Sequence, residues 1–238
     1  MLLNYNLLLA VATLPFAFAQ DVTVPNECTA GYSGGTSVAL VTVPYTYDQV
    51  MSVIGSYKNL TWSGNPDNTV TLNGTDNTVG TARTYDTAGA HVIETILSYS
   101  KPPAPGPYEE VHNTALLSVP TLNVSFYIPY DGTVVSSICD GKASMFNFTA
   151  NFCGSNATTT EAILTMLHTN DALTVGKFLG GQNFTSCAAL GGYANGTAAG
   201  NGSTPTASAP PVAYTGGANG ISVGVSCALA VIAWVFVL

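Results

Sequence analysis

Two side chains of opposite charge lie where a short hairpin would bring them together. Ala88-Gly89 separates two segments rich in strand-forming residues, and a two-residue turn there places Arg83 directly opposite Glu94. The same register pairs their neighbours on one face, Tyr85 with Val92 and Thr81 with Ile96. On an exposed face, such a pair is an ordinary salt bridge that contributes ~0.2–1 kcal/mol. Its role therefore depends on which face of the sheet is enclosed.

The three histidines, His91, His112 and His168, are scattered along the chain. The hairpin register places His91 opposite Asp86 near the turn, where solvent would reach it. Hydroxyl side chains are abundant, but the chain has no Cys-x-x-Cys pair and no metal-ligand spacing. We therefore expect a structural role for each histidine and predict no catalytic residue, no metal and no cofactor.

One long helix is predicted to pack against the sheet that contains this hairpin. Residues 158–181, TTTEAILTMLHTNDALTVGKFLGG, place apolar residues at helical spacing. Thr158 and Glu161 form a capping-box pattern at the start, and Gly180-Gly181 is a stop signal. Apolar residues cover more than half of the circumference, so we expect a curved sheet to wrap around the helix.

Most of the remaining chain has strand character. Strands are predicted at residues 37–43, 69–72, 79–86, 91–98, 109–119, 122–128, 133–139 and 144–152. A short helix should begin after Thr46, which forms a capping box with Gln49, and run to about Lys58. In the last strand Phe146, Phe148 and Phe152 alternate with polar residues, so the Phe face should be inside. The order of elements indicates an α+β fold.

Both ends of the chain have the composition of processing segments. Residues 1–19 are predicted to be a signal peptide, because an apolar run ends there in an Ala-x-Ala pattern. Residues 191–216 contain no charge and are rich in small residues and proline, which is typical of a flexible stalk. Residues 217–238 resemble a glycosylphosphatidylinositol (GPI) anchor signal that is removed on maturation, with attachment at Gly216 or, alternatively, Asn219. The competing interpretation is a single-pass membrane helix, which the missing basic flank disfavours.

Sequons and cysteines agree with export. Potential N-glycosylation sites are Asn59, Asn73, Asn123, Asn147, Asn156, Asn183, Asn195 and Asn201. Four cysteines precede the removed tail, Cys28, Cys139, Cys153 and Cys187, and in an oxidising compartment they predict two disulfides. We expect a secreted glycoprotein on the outer face of the plasma membrane or in the cell wall. The net charge of -8, with only 5 Lys+Arg, excludes nucleic acid as a partner.

The order of motifs resembles a known superfamily. The chain contains, in order, VPYTYDQVMSVIGSYKNLTW, VGTARTYDTAGAHVIETILSYS, a hairpin and a final helix. This order is similar to that of the Bet v 1-like, START-related (SRPBCC) proteins, which include polyketide cyclase/dehydrase-like members. The similarity covers residues 37–181. It implies a helix-grip fold over residues 20–190: a seven-stranded antiparallel sheet curled around the C-terminal helix, with an apolar cavity. The export signal, stalk and anchor depart from the usual cytosolic members and would fit an extracellular fungal surface protein.

The resemblance also implies a binding site. After Gly80-Thr81-Ala82-Arg83, which matches the family's G-T-x-basic motif, a basic and an acidic side chain would project into the cavity and orient a ligand hydroxyl or carbonyl. The implied ligand-binding residues are Arg83, Tyr85, Val92, Glu94, Ile96, Phe146, Phe148, Met166 and Leu167. Met and Phe linings adapt to varied apolar ligands. A plain core without a cavity is the alternative for the Met, Leu and Phe residues of this set.

The helix-grip arrangement also implies the disulfide pairing. Its first strand runs antiparallel beside the last, which brings Cys28 towards Cys153. The far end of its final helix approaches the Asp140-Gly141 turn, which brings Cys187 towards Cys139. A bridge between Cys139 and Cys153 would contradict the fold.

Three functions fit these expectations. The leading one is a non-catalytic, GPI-anchored protein that binds a small hydrophobic molecule, such as a lipid, sterol or aromatic polyketide. The second is a polyketide cyclase/dehydrase-like enzyme with Glu94 or a cavity histidine as general acid or base. The third is a structural wall glycoprotein with a collapsed cavity and a cell-wall glycan as partner. An apolar cavity favours binding, a desolvated carboxylate in the cavity favours catalysis, and a filled core favours a structural role.

Overall fold

The computed structural model describes residues 27–191. Seven strands form one antiparallel sheet: β1 Ser33–Val43, β2 Thr71–Asn73, β3 Ala82–Thr87, β4 Ala90–Ser100, β5 Tyr108–Val119, β6 Val124–Ile138 and β7 Ala143–Gly154. Two α-helices accompany them, α1 Tyr47–Ile54 and α2 Ala157–Phe178. The order across the sheet is β1-β7-β6-β5-β4-β3-β2, so that only β1 pairs with a strand distant in sequence. This confirms the predicted α+β helix-grip fold, a seven-stranded curved sheet with a long C-terminal helix.

The predicted processing segments lie outside the described residues. These are the signal peptide at 1–19, the stalk at 191–216 except for its first residue, and the anchor signal at 217–238 with Gly216. The sequons at Asn195 and Asn201 lie outside as well. Between residues 27 and 191, no helix has the length and hydropathy needed to cross a membrane.

Both helices begin at side-chain caps. The predicted capping box of α1 is confirmed, since Thr46 and Gln49 exchange hydrogen bonds, but α1 ends at Ile54 rather than near Lys58. The predicted cap of α2 is wrong. Asn156, not Thr158, is the N-cap, because its side-chain oxygen accepts a hydrogen bond from the Thr159 amide at 3.1 Å.

Helix α2 packs against β1 and the enclosed face of the sheet. Its buried residues include Ile163, Leu164, Ala172 and Val175. The buried stripe is narrower than the sequence pattern predicts, because Met166, Leu167 and Leu173 are only half-buried and Phe178 is 59% exposed at the end of the helix. The sheet therefore buries one flank of α2 most completely.

Strand β6 is longer than predicted. Residues 122–128 and 133–139 were expected to be two separate strands, but β6 runs without a turn from Val124 to Ile138. Its register against β7 shifts between Tyr127 and Tyr130, and Pro129 lies inside this irregularity. A bulge tolerates a proline that cannot donate to the strand ladder, so the chain bends there without leaving the sheet.

Strand β7 forms the centre of the core. Phe146, Phe148 and Phe152 are fully buried, as their alternation predicts, and Asn147 lies half-buried on the opposite face. The ladder pairs Phe146 with Val41 of β1 and with Val135 of β6. These contacts hold the enclosed side of the sheet together beneath α2.

Two disulfides fasten the ends of the domain. Cys28 is bonded to Cys153, with Cα atoms 5.7 Å apart, and Cys139 is bonded to Cys187, with Cα atoms 4.9 Å apart. The predicted pairing is therefore confirmed. The first bridge fixes the segment before β1 to the end of β7, and the second fixes the segment after α2 to the end of β6.

The first testable prediction concerns the relative contribution of the two bridges. Cys28–Cys153 spans 125 residues and Cys139–Cys187 spans 48. Loop-closure entropy then assigns about 5 kcal/mol to the longer bridge and about 4 kcal/mol to the shorter. We expect the Cys28→Ser/Cys153→Ser variant to lose more free energy of unfolding than Cys139→Ser/Cys187→Ser in chemical denaturation. Peptide mapping without reduction should yield both bridges, and a Cys139–Cys153 peptide would contradict the fold.

Candidate functional site

A cavity lies between the enclosed face of the sheet and α2. Its volume is about 130 Å³, close to the ~150 Å³ of an engineered apolar cavity that binds benzene. One end is lined by apolar side chains, among them Val92, Leu117, Val119, Phe126, Ile128, Ile163 and Leu164. The cavity can therefore hold a molecule of about one aromatic ring.

The other end of the cavity is charged. Six side chains, which we call the charged cluster, line it: Arg83, Glu94, Glu110, His112, Asp131 and His168. Each of these residues is only between 4% and 8% exposed. Strands β3, β4, β5 and β6 and helix α2 all contribute, so the cluster exists only in the folded domain.

The structure brings together most of the predicted ligand-binding residues. The cavity lining includes Arg83, Tyr85, Val92, Glu94, Phe148, Met166 and Leu167. Ile96 and Phe146 are buried but are not among the residues that line it. The predicted hairpin register is present, with Arg83 opposite Glu94 and Tyr85 opposite Val92.

Arg83 and Glu94 form a buried ion pair rather than an exposed salt bridge. Arg83 Nε lies 2.5 Å from Glu94 Oε2, and Arg83 Nη1 donates to the Tyr57 carbonyl oxygen at 3.0 Å. The guanidinium carbon also lies 4.0 Å from the centre of the Tyr57 ring. Tyr85 donates its hydroxyl to Glu94 Oε1 at 2.9 Å. Removing one partner of such a pair costs about 3–5 kcal/mol, so a single substitution would alter stability before binding.

His112 lies among three carboxylates. Its Nε2 is 3.6 Å from Glu94 Oε1 and 3.7 Å from Asp131 Oδ2. Its Nδ1 is 3.3 Å from Glu110 Oε1 but lacks the alignment of a hydrogen bond. Burial opposes the charged form of His112, but Glu94, Glu110 and Asp131 outweigh burial and raise its pKa above the ordinary value of 6.5.

His168 is the contribution of α2 to the cluster. Its Nε2 lies 3.3 Å from Asp131 Oδ1, and its ring stacks on Phe148 with centroids 4.9 Å apart. Burial opposes its charge, but Asp131 raises the pKa of His168 above the ordinary value. In turn, burial would raise the pKa of Asp131, yet His168 and His112 together lower it.

Charge balance explains these pKa directions. Glu94, Glu110 and Asp131 carry three negative charges, while Arg83 supplies one permanent positive charge. Protonation of both histidines adds two positive charges and makes the cluster neutral. An unpaired buried charge is costly, so the carboxylates and imidazoles stabilise each other's charged forms. Glu110 follows the same rule: burial would raise its pKa, but His112 and Arg83 lower it.

Asp171 extends the cluster along α2. It lines the cavity but is half-buried. Burial raises the pKa of Asp171 to about 7, although His168 and a hydrogen bond from Ser63 act in the opposite direction. This carboxyl group therefore carries a partial charge near neutral pH.

Several polar atoms of the lining have no hydrogen-bond partner among the described residues. They are His112 Nδ1, Thr114 Oγ1, Asp131 Oδ1 and His168 Nδ1. Leaving a buried polar group unsatisfied costs about 1–3 kcal/mol. The cavity thus offers unused hydrogen-bonding capacity on β5, β6 and α2.

Five residues of the cavity lining were not predicted from the sequence to be site residues: Glu110, His112, Asp131, His168 and Asp171. Alternation on β5 contained a signal, because Glu110, His112 and Thr114 occupy one face of a strand. Asp131 could not be assigned to a strand, because Pro129 to Gly132 has the composition of a turn. His91 lies where it was predicted, exposed and 2.7 Å from Asp86, and is remote from the cluster. Within residues 27–191, no three of the acidic, histidine or cysteine side chains are arranged as metal ligands.

Comparison with known proteins gives a likeness of fold only. No family model and no curated protein matches the chain. Among similar solved structures is a protein from Nitrosospira multiformis, 12% identical, covering 61% of this chain and 96% of that one with a TM-score of 0.46. XoxI from Bacillus cereus is 12% identical and covers 61% and 95%, with a TM-score of 0.45. Norcoclaurine synthase from Thalictrum flavum is 13% identical and covers 63% and 88%, with a TM-score of 0.43. Likeness at this level assigns no ligand or reaction to the chain.

The charged cluster predicts how stability depends on pH. Stability from His112 and His168, whose pKa values are raised, is complete below 6.5 and is lost as pH rises through the folded-state values. The raised pKa of Asp171 acts in the same direction. Stability from Glu110 and Asp131, whose pKa values are lowered, is complete above about 4.5 and is lost in stronger acid. We therefore expect maximal stability in mild acid and a decline above pH 6.5, measured by chemical denaturation across pH.

Matched histidine variants test the origin of this decline. His168→Gln should flatten the fall in the free energy of unfolding above pH 6.5. His91→Gln, at the exposed pair with Asp86, should leave the wild-type profile unchanged. Equal profiles for His168→Gln and the wild type would show that the cluster does not cause the decline.

Proposed function

We propose that the domain binds a small, mainly apolar molecule in the cavity, with its polar end against the charged cluster. The observation that carries the proposal is a set of four buried polar atoms without an aligned hydrogen bond, on His112, Thr114, Asp131 and His168. Two of them, His112 Nδ1 and Asp131 Oδ1, have an oppositely charged neighbour at 3.3 Å. The four atoms lie on three separate elements that converge on one space. A bound molecule with one polar end would supply the missing hydrogen bonds while its apolar body filled the opposite end.

The cavity's size favours a compact ligand. At about 130 Å³, it accommodates one ring without rearrangement. A sterol or long-chain lipid would require the cavity to widen. Half-buried lining residues, Trp62, Ala88 and Met166, mark the side on which solvent reaches the cavity. An aromatic compound of one ring is therefore the best candidate among the predicted ligand classes.

An enzyme with general acid–base chemistry is the second candidate. The pairing of His168 Nε2 with Asp131 Oδ1 at 3.3 Å favours it, because a carboxylate beside an imidazole can hold a base in position. Glu94, the acid or base expected from the sequence, is less suitable because Arg83 and Tyr85 already occupy its oxygens. A ligand that is released chemically unchanged would support binding, whereas conversion of the ligand into a product would support catalysis.

We also propose that the domain is displayed outside the cell on a GPI anchor. The two disulfides support an oxidising compartment. Asn73, Asn123, Asn156 and Asn183 are exposed, as glycan acceptors must be. Asn59 fits this role less well, because its amide donates to the Val53 carbonyl oxygen and its side-chain oxygen accepts from Thr61. The open cavity counts against a purely structural glycoprotein with a filled core.

Filling the cavity provides the test of binding. We expect Leu167→Trp to abolish binding of small aromatic molecules, because the larger ring occupies the space that the ligand needs. Phe178→Trp introduces the same side chain at an exposed position on the same helix and should bind normally. Native mass spectrometry of the intact protein, with and without added ligand, measures both. Failure of the wild type to retain any small molecule would refute the binding proposal.

Release from cells tests the anchor. A phospholipase specific for GPI anchors should release the protein, because we expect residues 217–238 to have been replaced by the glycolipid. Trp234 should then be missing from the mature protein in C-terminal peptide mapping. Detection of Trp234 in membrane-bound protein would instead support a retained membrane helix.

A further inference from the structure

We propose that the polar end of the bound molecule is a cation, a protonated amine that completes the charge balance of the cavity. This inference rests on the proposed binding function and specifies its ligand class. It follows from the charged side chains around the cavity, from the contacts that Arg83 already makes within the protein, and from an oxygen of Asp131 that lacks an aligned hydrogen bond.

The cavity lining contains more carboxylates than cations. Among the described residues, four carboxylates line it, Glu94, Glu110, Asp131 and Asp171, and Arg83 is the only arginine or lysine. If both His112 and His168 are protonated and Asp171 is ionised, as it is above its pKa of about 7, the count is four negative against three positive charges. One further positive charge would make the enclosed set neutral, whereas an anionic ligand would increase the imbalance. Burial makes such an imbalance costly.

Arg83 is poorly placed to receive an anion. Its Nε is bonded to Glu94, its Nη1 to the Tyr57 carbonyl oxygen, and one face of the guanidinium covers the Tyr57 ring. A carboxylate ligand would have to compete with Glu94 for the same group. Two of the three guanidinium nitrogens are thus already bonded within the protein itself.

Asp131 offers the acceptor that an amine requires. The residue is 5% exposed, and its Oδ1 has no hydrogen-bond partner among the described residues. Its neighbour His168 approaches to 3.3 Å but does not form an aligned hydrogen bond. An ammonium group could donate to this oxygen, and a hydrogen bond between two charged groups is stronger than one between neutral groups. Thr114 Oγ1 is a second buried oxygen of the lining without a hydrogen-bond partner among the described residues.

The charged groups around Asp171 show the same excess of negative over positive charge. Asp171 faces His168 on its own helix and Ser63 on the adjoining turn, and it also experiences the charges of Asp131 and Glu94 from the sheet, with Tyr85 nearby. Burial and these two carboxylates raise its pKa to about 7 despite His168. A bound ammonium would favour the charged form of Asp171, so binding should release a proton near neutral pH. At higher pH, Asp171 is already ionised and the amine should bind more tightly.

Three probes of one size test the proposal on the intact protein: benzylamine, benzyl alcohol and benzoate. Affinities can be measured by calorimetry or ligand-observed NMR at pH 6 and pH 8. We expect benzylamine to bind at least about tenfold more tightly than benzyl alcohol at pH 8, in line with a hydrogen bond between charged groups. This preference should shrink at pH 6, and benzoate should bind most weakly.

The outcomes separate the two proposals. Equal or tighter binding of benzyl alcohol or benzoate at pH 8 would overturn the cation proposal and leave the binding function intact. If none of the three probes binds or displaces a co-purified molecule, the proposed function fails together with the inference.

Matched Asp→Asn variants locate the site. Asp131→Asn should lose the preference for benzylamine and still bind benzyl alcohol, whereas Asp86→Asn, on the exposed hairpin turn, should keep the preference. Asp171→Asn provides a second variant at a half-buried position, and it should reduce the change in preference between pH 6 and pH 8. Retention of the full preference and its full pH dependence in Asp171→Asn, or of the full preference in folded Asp131→Asn, would contradict the proposal.

Discussion

The domain is organised around a set of charges that it encloses and must neutralise. Arg83, three carboxylates and two histidines are each less than a tenth exposed. No one of them could be buried alone without a large loss of hydration free energy. Together they are stable, but only if the sheet and α2 hold each of them within about 4 Å of an oppositely charged neighbour. The cluster therefore depends on the whole fold, and the fold tolerates the cluster only when its charges are balanced.

Strands β3 to β6 and helix α2 position the side chains of the charged cluster. The Ala88-Gly89 turn sets the β3–β4 register that places Arg83 opposite Glu94. On β5 and β6 the register shifts close to His112 and Asp131, so irregular pairing adjoins both residues. Stacking on Phe148 orients His168 as α2 crosses the sheet. The disulfides then anchor the chain segments before β1 and after α2, which keeps the helix over the cavity.

Local patterns predicted the fold and part of the site. The turn dipeptide, strict alternation in β7 and helical periodicity in α2 are short-range signals, so the sheet, the helix and the Arg83–Glu94 pair could be predicted. The disulfides followed from the implied topology. Asp131 could not be found in this way, because Pro129 and Gly132 make its neighbourhood look like a turn, and only the partner strands show that β6 continues. His112 and His168 were predicted to be structural because no motif or metal-ligand spacing marked a site, and their common partner, Asp131, could not be recognised from the sequence.

The NMR titration of the His112 and His168 rings tests this account most directly. Ring ¹⁵N shifts report the charge of each imidazole without relying on a ligand. The account predicts that both rings are positively charged at pH 6.5, because three enclosed carboxylates face one arginine. If the His112 and His168 rings were both neutral at pH 6, the result would contradict this prediction. The three enclosed carboxylates would then have only Arg83 as a positively charged partner.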